Sequence, residues 1–128
     1  MRPSATVALA PNLNPAYEQS MDKTLVSDPI LNRFRAAVND AYGERIARVV
    51  LYGSRARGDA QPDSDYDIAV FLRDMPDRIS ELYRLADLSA EVLDETGAFV
   101  HAMAYSADAY DDPRMPLMHE IRREGVDL

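Results

Sequence analysis

The sequence predicts one α/β (α+β) domain, a small mixed β-sheet flanked by helices. Three observations predict it. The chain has 128 residues, about one domain's worth, and 47% of them are apolar. Apolar residues recur at helical spacing in two long stretches. Between and after those stretches lie short runs rich in β-branched residues, each bounded by glycine, proline or aspartate. Helices and strands therefore interleave, and both must cover one core.

The elements follow in order. Residues 1–27 hold Pro3, Pro11 and Pro15 and keep no period, so they are expected to form a flexible N-terminal tail. The domain is expected over 28–128. Asp28-Pro29 reads as a helix N-cap followed by proline at the first helical position. Ile30, Leu31, Phe34, Ala37, Val38 and Ala41 then line one helical face, which Gly43 closes. Ile46 to Tyr52 reads as a buried strand ending at Gly53-Ser54. Arg55 to Gly58 has room for one helical turn, and Asp59 to Ser64 is a turn around Pro62. Asp65 to Leu72 reads as a second strand, with Asp65, Asp67 and Ala69 on one side and Tyr66, Ile68 and Val70 on the other. Pro76 and Asp77 open a long helix that Gly97 stops. Its inward stripe is read as Ile79, Leu82, Leu85, Ala86, Leu88, Ser89, Val92 and Leu93. Phe99 to Tyr105 is a third strand, and Leu117 to Glu124 a last helix.

Composition narrows the function. No apolar run is long enough to span a membrane, and Pro3, Pro11 and Asn12 interrupt the start too early for a signal peptide. There are no cysteines, so neither a disulfide framework nor a thiolate metal site is available. A cytoplasmic location is expected. The net charge of −8 repels a phosphate backbone and argues against direct nucleic-acid binding. A nucleotide remains compatible, because a metal ion offsets its charge locally.

The chemistry gathers in Leu51-Tyr52-Gly53-Ser54-Arg55-Ala56-Arg57-Gly58-Asp59 and Asp63-Ser64-Asp65-Tyr66-Asp67-Ile68-Ala69-Val70. Gly53 at a strand end lets backbone approach a ligand closely. Ser54 offers a hydroxyl and an N–H to a phosphate oxygen, and a helical turn after it adds further N–H groups. Arg55 and Arg57 are candidate phosphate-binding cations, though either alone reads as a surface charge. Asp65 and Asp67, two apart on a strand, point the same way. Two such carboxylates repel each other unless a cation lies between them, and Mg²⁺ is commonly held by one or two carboxylates plus substrate phosphates. A pair beside an anion site suits metal-assisted phosphoryl or nucleotidyl transfer.

This stretch resembles the signature of the DNA polymerase β-like nucleotidyltransferases: Gly-Ser, then Asp-x-Asp between apolar residues, with residues 55–64 in between. It is most similar to the minimal nucleotidyltransferases (the MNT family) over roughly residues 29–128, including the ending Ile121 to Val126. The resemblance implies a nucleotidyltransferase fold that binds ATP with Mg²⁺. It implies Gly53 and Ser54 as phosphate-binding positions, and Asp65 and Asp67 as metal ligands and catalytic residues. It also implies a HEPN-domain toxin, a helical ribonuclease, as partner and co-assembling subunit. The chain would act as antitoxin, in some systems by attaching AMP to a toxin tyrosine. Where relatives often carry a third carboxylate, this chain has His101. Imidazole is a poor match for hard Mg²⁺, which sets a transferase against an antitoxin that neutralises by contact. Transfer to a small molecule is a third reading, but such relatives usually carry an additional domain.

Overall fold

The computed structural model describes residues 28–128. The tail expected over 1–27 lies outside the described residues. Helix α1 spans Pro29–Tyr42. The Asp28 carboxylate accepts hydrogen bonds from the Ile30 and Leu31 N–H groups at 2.8 and 3.3 Å, satisfying donors that a helix start leaves free. Leu31, Phe34, Ala37, Val38 and Tyr42 face inward. A short 3₁₀ turn, Gly43–Arg45, leads into β1, Ile46–Tyr52. One helical turn, α2, Ser54–Arg57, and a polar loop lead to β2, Tyr66–Leu72. The long helix α3, Arg78–Thr96, carries the chain to β3, Val100–Ser106. A 3₁₀ turn, Ala107–Asp111, precedes α4, Pro116–Glu124, and the chain closes with β4, Val126–Asp127.

The four strands form one mixed sheet in the order β3-β2-β1-β4. β1 runs antiparallel to β2 and β4, and β2 parallel to β3. A parallel pair needs a crossover, and α3 supplies it. One sheet face is covered by α1 and α3. There Leu31, Phe34, Val38, Leu51, Ile68, Val70, Leu85, Val92 and Val100 make the main core. Among the described residues the other face is covered by α4 and the 3₁₀ turn before it, where Val50, Tyr52, Ala69, Phe71, Met118 and Ile121 form a smaller cluster. Strand alternation assigns each residue to its face, so the two coverings differ in extent along one continuous sheet.

The structure corrects two readings of local detail. The second strand begins at Tyr66, one residue later than expected, which leaves Asp65 just outside it. The inward stripe of α3 is narrower than expected. Leu85, Ser89 and Val92 are buried with Glu81, whereas Ile79, Leu82 and Leu93 are 56%, 38% and 44% exposed. Glu81 turns inward because the Arg45 guanidinium, which also donates to Asp74 Oδ1 at 2.7 Å, meets its carboxylate. A charge tolerates burial when so paired. β4 was not expected at all: two residues carry too little pattern to announce a strand. Among the described residues no helix is long and apolar enough to cross a membrane.

Packing holds three phenols neutral. Burial, followed by the nearby charge of Glu81, pushes Tyr42 up to about 12. Burial and the bond to Asp28 do the same for Tyr66, as burial and its neighbours Tyr105 and Asp67 do for Tyr52. In the unfolded chain each titrates near pH 10. The raised values favour the folded state fully below about pH 10, and this contribution is lost as pH rises through about 12. Urea midpoints should therefore hold steady to about pH 10 and then fall. Near-ultraviolet phenolate absorbance should show part of the tyrosine population ionising only with unfolding. A midpoint that stays flat through pH 12 would contradict this packing.

Candidate active site

Three strand ends meet at one edge of the sheet. β1 finishes at Tyr52, opposite Asp67 near the start of β2. Asp67 in turn stands level with His101 near the start of β3. Tyr52, Asp67 and His101 therefore occupy one row on the thinly covered face. The His101 ring approaches Asp67, with Nδ1 3.5 Å from Oδ1. Both side chains are open to solvent in part, 53% for His101 and 34% for Asp67. Tyr52 beside them is buried, with its phenol kept neutral.

Gly53 has to be glycine for two separate reasons. Its φ of +76° is one that residues with a side chain rarely adopt. A Cβ there would also lie 2.6 Å from Asp67 Oδ2. The missing side chain is thus the space into which the carboxylate fits. Ser54 opens α2, and the Ala56 and Arg57 N–H groups both reach the Gly53 carbonyl at 3.1 Å. Gly58, at φ +84°, closes the turn by donating to the Ser54 carbonyl at 3.0 Å. Helix geometry leaves the Ser54 and Arg55 N–H groups without intrahelical acceptors. The Ser54 hydroxyl makes no hydrogen bond to any described residue.

The other expected residues are placed as follows. Asp65 is exposed, immediately ahead of β2, and has no ion-pair partner among the described residues. Arg57 pairs with Asp59 and with Glu124 at the end of α4, each at 3.2 Å. Arg55 lies over the Tyr66 ring, 4.2 Å from its centre, and donates to the carbonyl oxygens of Pro62 and Ser64. Sequence reasoning had no signal for these arginine contacts, because each spans a turn whose path the pattern leaves open. Among the described residues no three His, Asp or Glu side chains gather as a metal cage. Asp65 and Asp67 offer hard oxygen donors but too few to enclose an ion. That donor set fits a Mg²⁺-like cation whose shell is completed by water and substrate phosphates.

A sequence profile of the nucleotidyltransferase domain matches residues 31–112, well over half of the chain. The chain belongs to the nucleotidyltransferase domain family. The match runs from within α1 through β3 and hence includes every strand end of the site. A candidate protein adenylyltransferase of Methanocaldococcus jannaschii is 34% identical over 47 residues, 37% of this chain and 48% of that protein. The chain thus spans about half the length of this curated relative. A toxin–antitoxin crystal structure with AMP-PNP aligns with a TM-score of 0.56 at 20% identity, over 75% of this chain and 69% of that one. A candidate nucleotidyltransferase of Sulfolobus solfataricus aligns at 0.55 and 17% identity, over 92% and 90%. A candidate minimal nucleotidyltransferase aligns at 0.50 and 24%, over 85% and 98%. These structural likenesses show the shared fold.

The fit of this nucleotidyltransferase domain around Gly53 is open to direct measurement. Gly53→Ala should destabilise the protein by about 1–3 kcal/mol, because the new side chain adds backbone strain and displaces Asp67. Adding Asp67→Ser should recover part of that loss by removing the clashing oxygen. Urea denaturation of the two single variants and the double variant checks this. Strict additivity of the two changes would show that the residues do not meet.

Proposed function

We propose that this domain transfers AMP from ATP to a hydroxyl of a partner protein in a Mg²⁺-dependent reaction, and that the partner is a HEPN-type ribonuclease toxin which the chain neutralises in the cytoplasm. The observation that carries the reading is the contact of the Asp67 carboxylate with Gly53, directly before the Ser54 turn. It sets a hard carboxylate oxygen beside a turn whose first N–H groups have no intrahelical acceptor. The adenylyltransferase relative and the toxin–antitoxin neighbour with AMP-PNP lend it support.

In this reading Ser54 and the first N–H groups of α2 hold a phosphate oxygen. Asp65 and Asp67 hold Mg²⁺, which when bound offsets charge on the triphosphate. The acceptor oxygen bonds to the α-phosphorus, the bond to the β-phosphate oxygen breaks, and pyrophosphate leaves. The acceptor proton passes to water or to a nearby base. His101 is the side chain next to Asp67 on the neighbouring strand. It adds no negative charge and no hard oxygen donor there, so transfer is expected to be slow.

That same position supports a second reading, in which the domain binds nucleotide but neutralises its partner by contact alone. Incubating the chain with its HEPN partner, Mg²⁺ and labelled ATP separates the two. Under the first reading the partner acquires AMP, and Asp67→Asn abolishes incorporation with the fold intact. His101→Asp should raise the rate, on the order of 10²-fold if it restores a general base. Neutralisation with no label in either the wild type or His101→Asp would reject transfer and leave contact. Calorimetry of Mg·ATP should give binding in the wild type and none in Asp65→Asn or Asp67→Asn. Wild-type heats in both variants would remove these carboxylates from the site.

A further inference from the structure

We propose that Arg55 is a positioning residue for Asp65 rather than a phosphate ligand. The inference rests on the reading of Asp65 as a metal ligand and adds a residue that acts through it. Asp65 presents a problem of order. It is exposed, it precedes the strand, and its carboxylate bonds to no described residue. A ligand so placed would spread over many rotamers and backbone states, and each must be given up when the metal binds.

Arg55 removes the backbone part of that freedom from one side. Its Nη2 donates to the Ser64 carbonyl at 2.8 Å and to the Pro62 carbonyl at 3.1 Å, and its Nε reaches the Ser64 carbonyl at 3.2 Å. The Ser64 carbonyl belongs to the peptide group that ends at the Asp65 nitrogen, so the guanidinium grips the plane directly before the ligand. The loop helps itself: the Gln61 N–H donates to Ser64 Oγ at 2.9 Å, and the Ser64 N–H to the Gln61 carbonyl at 3.0 Å.

Tyr66 fixes the other side. It is 5% exposed, its N–H bonds to the Phe99 carbonyl at 3.0 Å, and its hydroxyl donates to Asp28 Oδ2 at 2.8 Å. The Arg55 guanidinium rests on this same ring. Asp65 is thereby held between a clamped carbonyl and an anchored aromatic, and one arginine touches both. The role calls for arginine, not for positive charge alone. A planar fork bonds two carbonyls while its face stacks on a ring, and a lysine ammonium cannot reproduce that geometry.

The test uses Arg55→Lys in the full chain, with Mn²⁺ as probe and no nucleotide. Mn²⁺ affinity, read from paramagnetic broadening of backbone amides around Asp65 and Asp67, should fall on the order of 10-fold or more, the usual cost of losing a residue that orients a ligand. Amide exchange should accelerate at residues 63–65 and stay unchanged through β1, β2 and α3, which also shows that the variant folds. A phosphate-binding role predicts the reverse: Mn²⁺ affinity and exchange like the wild type, with Mg·ATP affinity altered. That result would overturn the proposal and leave the proposed function standing. Absence of Mn²⁺ broadening in the wild type, with and without ATP, would overturn the metal reading of the site and this inference with it.

Discussion

Six of the seven residues of β2 are buried, and the exception is Asp67. This strand has a neighbour on each side and a cover on each face. Its carboxylate sits where that enclosure gives out. An unpaired carboxylate cannot be carried into an apolar core, so the smaller cluster has to stop short of it. Tyr105 and Tyr110 pack on Phe71, Ala69 is buried in the same cluster, and Asp67 is left half-open. The space is completed from β1 by a residue with no side chain. Depth of the strand, extent of the cover and identity of Gly53 are thus three expressions of one requirement.

The two ends of the sheet are treated differently. At the far end Arg45 gathers Asp74 and the buried Glu81, and Arg73 donates to the Glu44 carbonyl at 3.0 Å. Tyr42 packs under Arg45 and Arg84. Arg45 is paired there with two carboxylates, and Arg73 and Arg84 are tied to backbone carbonyls. At the site end the carboxylates of Asp65 and Asp67 meet no arginine or lysine among the described residues, and the arginines of α2 are directed elsewhere. Leaving negative charge unmatched weakens a fold locally, and it is the condition under which a cation can bind tightly.

Much of this was legible in the residues. The helical period of α1, the apolar runs of β1 and β2 and the glycine stops at Gly43 and Gly97 follow from local physics, and the Gly-Ser to Asp-x-Asp spacing pointed to the family that residues 31–112 match. What escaped was non-local. Glu81 faces the core because of Arg45, 36 positions earlier, and no periodicity counts a charged residue as inward. Arg55 reads as a surface cation until the loop's path brings the Pro62 and Ser64 carbonyls to it. β4 exists because α4 returns the chain to β1, where Val126 meets Leu51. Each miss is a contact whose energy depends on two distant segments arriving together.

The outer edge of β3 has a consequence for how this protein behaves in company. Val100–Ser106 runs for seven residues without a proline, lysine or bulge, the usual devices that keep an open strand from templating another. Phe99, Ile79 and Leu82 add exposed apolar surface beside it. A net charge of −8 acts against two copies meeting along this strand. That protection is an ionic one, and added salt thins it over a distance of about 10 Å at 0.1 M. With none of those devices on the strand, repulsion between whole surfaces is the force that opposes edge pairing, and such repulsion weakens as ionic strength rises.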